Sequence, residues 1–222
     1  MGAKVAPMSE LTLVVASKNY SSWSLRAYLA MAHTGQPFRE VLIALDEPTT
    51  APEIARYSPT GNVPVLQHGA LTVWDSLAIC EYLAETFPQA RLWPEDKTAR
   101  AVARSATAEM HSGFSALRRN MPMNLHARKP GHGRAPGVAD DISRVQKVWN
   151  ECRQRFGQGG PYLFGHFTIA DAFYAPVVTR FVTYEVQLDE VSRAYRDAVL
   201  ALPSFKTWLE AARHEPPVKR YL

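Results

Sequence analysis

The chain has 222 residues, 46% of them apolar and 21% charged, with a net charge of +4 at pH 7. That size and balance fit one large or two small folded domains and exclude a polar disordered chain. The lysines and arginines are mostly scattered, which is no nucleic-acid signature; the one basic loop, "HARKPGHGRAPG", with Arg118-Arg119, is the nucleic-acid alternative, and without interleaved aromatics it reads better as a solvated loop. No apolar run reaches the roughly 20 residues of a membrane span.

Residues 1–7 lack periodicity and read as a leader or an added remnant, with Met8 as the natural start. "LTLVVA", Leu11–Ala16, has strand length. Ser22–His33 has helical spacing and stops at Gly35, which tolerates a left-handed conformation. "FREVLIAL", residues 38–45, is a β-branched strand. A polar stretch with Pro48, Pro52 and a short helix follows. "PVLQHGALTVW" then reads as a hairpin turning at His68-Gly69, and Asp75 or Ser76 caps a helix over residues 77–87. The order β-α-β-α-β-β-α needs a right-handed parallel crossover at its start and an antiparallel hairpin at its end. That is thioredoxin-like topology, an α/β domain.

Pro88 and Pro94 bracket a linker, and every later signal is helical. Helices are predicted over residues 98–124, 138–156, 169–184, 191–200 and 204–214, with loops "HARKPGHGRAPG" and "GQGGPYLFG". The chain thus divides into an α/β domain (9–87), a linker (88–97) and an all-α domain (98–222). Cys80 and Cys152 lie in apolar helical patterns without metal-ligand spacing and read as reduced core residues.

Four short constellations bear chemistry. Ser21-Ser22-Trp23 joins the first strand to the first helix. Ligands of open α/β sheets bind beyond the carboxyl ends of strands, where a helix N-terminus offers free N–H groups and partial positive charge. A thiolate held there would gain both, plus a hydroxyl donor; a plain serine N-cap is the simpler alternative. Ser21 sits just before the first helical turn, whereas Ser22 either caps the helix or touches a ligand from the side. Val63-Pro64 precedes a strand, and in a cis form its backbone would be free to pair with a peptide-like ligand; trans is the ordinary alternative. Asp75-Ser76 opens a helix suited to a carboxylate, with Asp75 available to an ammonium group. Thr168 with Asp171 forms a capping box, a structural device, and Pro176 inside the same helix should kink it.

Together, "SSWSLRAYLA", "GNVPVL", "DSLAICEYLAE" and "GHFTIAD" resemble the soluble glutathione transferases over nearly the whole chain, most closely the serine-type zeta and tau classes and their bacterial relatives. The resemblance implies that Ser21 and Ser22 are catalytic, stabilising the glutathione thiolate, with Ser21 the residue at the sulfur. It implies glutathione contacts from Ser21, Trp23, Asn62, Val63, Pro64, Asp75 and Ser76. The second substrate then sits against the first long helix of the all-α domain, where Met110, His111, Phe114, Leu117 and Met121 either imply a small hydrophobic electrophile or are plain core at helical spacing. Glutathione is the implied co-substrate, with no metal, no nucleic acid and no membrane as partner, in a cytoplasmic homodimer. Trp23 departs from the zeta pattern, which has cysteine there, and this speaks against maleylacetoacetate isomerisation. The alternative is a non-catalytic binding or scaffold protein of the same fold.

Overall fold

A computed structural model describes residues 10–218; the reading of Met8 as the start lies outside them. Strands β1 (Leu11–Ala16), β2 (Arg39–Ile43), β3 (Val65–His68) and β4 (Leu71–Trp74) form one sheet in the order β2-β1-β3-β4. β1 and β2 are parallel, while β1/β3 and β3/β4 are antiparallel. Helices α1 (Ser22–His33), α2 (Thr50–Ala55) and α3 (Ser76–Thr86) complete the α/β domain. β2 is shorter than its apolar run, and the hairpin turn occupies Gly69-Ala70, one residue later than expected, with Gly69 at φ +60°.

Alternation along β1 decides which layer each side chain joins. Leu11, Leu13, Val15 and Leu66 join the large core shared with α1, α3 and the helical domain. Val14, Ile43, Ile54 and Val65 form a small second core that includes α2. Complete burial of Leu13, Leu25 and Leu29 stabilises by about 1.5–3 kcal/mol per side chain.

After a 3₁₀ turn at Pro88–Ala90 come α4 (Lys97–Ser112), α5 (Ser115–Asn120), α6 (Val138–Phe156), α7 (Ile169–Thr183), α8 (Glu190–Ala201) and α9 (Pro203–Arg213). The single helix expected over residues 98–124 is therefore two. Gly113 is extended, Phe114 takes a left-handed φ of +54°, and a Cβ on Gly113 would lie 2.6 Å from the Glu109 carbonyl. α7 is buried along nearly its whole length, packs on α1, and runs on through Pro176. Its start is the expected capping box: Asp171 accepts from the Thr168 backbone at 2.8 Å and hydroxyl at 2.9 Å, and from the Leu163 N–H at 3.1 Å. Cys80 and Cys152 are free and buried.

Candidate functional site

The β1–α1 junction is built from a serine pair three residues apart. Ser21 leaves helical backbone geometry (φ −81°, ψ 87°) and is the N-cap of α1. Its Oγ accepts from the Ser24 N–H at 3.4 Å and donates to Ser24 Oγ at 2.8 Å. Ser24 Oγ in turn accepts from the Ala16 N–H at 3.0 Å. The end of the strand is thus tied to the first helical turn through two hydroxyls. Ser22 is the first helical residue, so the capping role offered to it belongs to Ser21.

Ser21, Ser22 and Trp23 line a cavity of about 670 Å³ between the two domains. Trp23, Asn62 and Val63 also line a second cavity of about 430 Å³, with Pro64, Asp75 and Ser76. All seven residues expected to contact glutathione therefore border two cavities that share walls. The Val63–Pro64 peptide is cis. Asp75 is held at φ +70° and ψ 136°, outside the left-handed helical well that Asp tolerates, so its backbone is strained. Its Oδ1 accepts from the Leu77 N–H at 2.7 Å and the Ala78 N–H at 3.3 Å, while Oδ2 faces His111 Nε2 at 3.4 Å. The Ser76 hydroxyl is buried and has no hydrogen-bond partner among the described residues. A carboxylate at the N-terminus of α3 would satisfy it, so this cavity fits the carboxylate and ammonium of an α-amino acid.

The other cavity differs from the sequence-based expectation. Met110, Phe114 and Leu117 are 0%, 6% and 0% exposed and belong to the large core, as does Met121. The turn at Gly113-Phe114 starts α5 on a new axis, so Ser115, Arg118 and Arg119, followed by Pro122 and Met123, form the wall beside Ser21, with Arg180 of α7. His111 instead packs edge-on to Trp23 at 5.3 Å. Its pKa is held below the ordinary value by burial, against the pull of Asp75.

This wall is cationic. Trp23 has the Arg26 guanidinium 4.3 Å and the Arg118 guanidinium 4.9 Å from its ring centre. Arg26 is buried, and its Nε and Nη1 lack partners among the described residues. Its pKa falls to about 9, chiefly through burial and then through Arg180 and Arg118. Burial and Arg118 bring Arg180 down to about 10. Both remain charged at neutral pH. Among the described residues, no carboxylate forms an ion pair with Arg26, Arg118, Arg119 or Arg180. Nothing local in the sequence marks Arg180, or sets Arg118 and Arg119 apart from other surface charges. The S-x-x-S spacing was the one local signal for Ser24. Among the described residues no group of three or more His, Cys, Asp or Glu is placed to hold a metal ion.

Comparison with known proteins gives two family matches, "Glutathione S-transferase, N-terminal domain" over residues 20–86 and "Glutathione S-transferase, C-terminal domain" over residues 125–214. Glutathione S-transferase 1 of Dianthus caryophyllus is 30% identical over 73% of this chain and 73% of its own length. A maleylacetoacetate isomerase of Mus musculus is 36% identical over 76% of this chain and 77% of its own. Among solved structures, a glutathione transferase homolog from Burkholderia gl BGR1 with bound glutathione superposes with a TM-score of 0.70 at 23% identity, covering 93% of this chain and all of that one.

Proposed function

Because this chain belongs to the glutathione S-transferase family, we propose that it binds glutathione across the two joined cavities and directs the sulfur, as thiolate, onto an anionic electrophile. Ser21 at the positive end of α1, lining one cavity with Arg118, Arg119 and Arg180, none of which has a carboxylate partner among the described residues, is the observation that carries this reading.

Asp75 and Ser76 take the α-amino-acid end of glutathione, and the backbone of Val63 takes its cysteinyl portion. The Ser21 hydroxyl turns its hydrogen to the sulfur, while the Ser24 hydroxyl supplies a hydrogen to Ser21 Oγ. The α1 N-terminus adds its partial charge. An ordinary thiol, with a pKa of about 8.5, is only a few per cent ionised at neutral pH, so each of these donors raises the reactive fraction. Once the S–C bond forms, the thiol proton has already passed to solvent.

The arginine wall replaces the hydrophobic electrophile expected from the sequence. An anion relieves the mutual repulsion of Arg26, Arg118 and Arg180 and repays their desolvation. The mouse relative is named for an isomerase acting on maleylacetoacetate, itself a carboxylate, which supports the same substrate class. A homodimer in the cytoplasm belongs to this reading.

A panel of electrophiles, carboxylate-bearing and neutral, assayed with and without glutathione, tests the proposal. Arg118→Met is expected to lower kcat/KM about tenfold for the carboxylates, the value of one charge-assisted hydrogen bond, and to leave neutral aromatic electrophiles unchanged. Equal losses for both would remove the anion preference. Consumption of glutathione marks conjugation, and its full recovery marks isomerisation. Asp75→Ala is expected to weaken glutathione binding about tenfold by calorimetry. Its melting temperature should fall by the worth of one helix cap, about 1 kcal/mol. Unchanged affinity in the folded variant would take Asp75 out of the site.

A further inference from the structure

The turn that delivers Ser21 is held by the far end of the chain. The N–H groups of Tyr20 and Ser21 both donate to the Ser17 carbonyl, at 3.1 and 2.9 Å, so residues 17–21 close as one turn. The N–H groups of Lys18 and Asn19 point out of this turn. They donate to Glu215 Oε1 at 2.9 Å and Oε2 at 3.4 Å, across 197 and 196 residues. Two successive backbone N–H groups form a small concavity for an anion, and here the anion is a side chain of the same molecule. The Lys18 carbonyl accepts from the buried Trp208 Nε1 at 3.0 Å. The Asn19 side chain accepts from the Leu125 N–H at 2.6 Å and donates to Asn124 Oδ1 at 3.2 Å. Glu215 lies one residue beyond the family-matched segment.

We propose that Glu215 is a positioning residue for Ser21: its carboxylate fixes the Lys18-Asn19 turn, and through it the direction of the Ser21 hydroxyl toward the glutathione sulfur. The inference rests on the reading of Ser21 given above. A carboxylate accepts at both oxygens, whereas an amide in its place presents an NH2 group to one of the two N–H donors. That donor is then unpaired and the turn relaxes, two residues from Ser21. Displacement by a fraction of an ångström weakens a charge-assisted hydrogen bond while leaving the contacts of Asp75, Ser76 and Val63 in place.

The test is Glu215→Gln in the full chain, read by thiolate absorbance of bound glutathione, by the pH–rate profile and by amide exchange. The expected result is faster exchange at Lys18 and Asn19, and a bound-thiol pKa raised by about half a unit to one unit. That shift costs about threefold to tenfold in kcat/KM at neutral pH. Glutathione affinity should stay within about twofold, because the other contacts remain. The rate should recover at high pH, where the thiol ionises unaided; damage to the fold would instead lower the rate at every pH. Glu210→Gln, an exposed carboxylate paired with Arg213, controls for charge and should change none of these readings. Should Glu215→Gln not fold, the same measurements on Glu215→Asp decide the matter, since it keeps the charge and withdraws the carboxylate by one methylene. An unmoved thiol pKa, or a loss of rate independent of pH, overturns the inference. Failure of the unaltered protein to bind glutathione, or of Ser21→Ala to move the thiol pKa, instead overturns the reading beneath it.

Discussion

Ser21→Ala is expected to raise the pKa of the bound glutathione thiol by about one to two units and to cut kcat/KM tenfold to a hundredfold at neutral pH. A hydrogen bond to a charged acceptor contributes about 1.5–3 kcal/mol, and that contribution is present only in the thiolate form, so its loss appears almost entirely as a pKa shift. Glutathione affinity should change less, because the contacts of Asp75, Ser76 and Val63 do not depend on the sulfur's charge. The variant also loses the N-cap of α1, at a cost of about 1 kcal/mol in stability, so a melting curve accompanies the titration. Ser22→Ala should have the smaller effect, since Ser22 stands on the cavity wall one position into the helix. A thiolate absorbance titration of both variants decides between them. A shift in Ser22→Ala alone would move the assignment by one residue. No shift in either would leave the helix N-terminus as the sole source of activation.

Asp171→Ala is expected to destabilise the protein by about 3–5 kcal/mol, enough to unfold a domain of ordinary stability near physiological temperature. Asp171 is fully buried and accepts from the N–H groups of Leu163 and Thr168 and from the Thr168 hydroxyl. Each donor left without a partner in the core costs about 1–3 kcal/mol. Urea unfolding of the two proteins measures the difference, and a loss under about 1 kcal/mol would reduce the capping box to an ordinary cap. The pH dependence has a definite sign. Burial, against the hydrogen bonds, pushes the Asp171 carboxyl up from its ordinary 3.8 to about 6. The folded state therefore binds this proton more readily than the unfolded state. The contribution of Asp171 is greatest below the unfolded value and falls as pH rises from about 4 to about 6, staying level above that. Asp171→Asn removes the titration. The stability gap between it and the unaltered protein should change across that interval and be constant from pH 7 upward.

The local chemistry of the chain was enough to determine most of its elements, though not the break between α4 and α5, and half of its site. β1, α1 and α6 run as their patterns predict, because apolar periodicity, a cap and a glycine stop act within a few residues of one another. The Thr168–Asp171 box is likewise a short-range arrangement with its own hydrogen bonds, while at the Ser21 junction, the Asp75 cap and the Val63–Pro64 bond the sequence marks the place and the structure chooses between the alternatives. What faces the sulfur was decided by tertiary structure alone. Helical spacing marks Met110, Phe114 and Leu117 as one apolar face without saying whether that face meets a core or a cleft. The left-handed turn at Phe114 sends them inward and brings Arg118 and Arg119 to the cavity. Arg180 reaches the same wall from α7, and Glu215 reaches the Ser21 turn from the opposite end of the chain. Contacts across such distances leave no periodicity in sequence, because they are selected by the packing of whole helices.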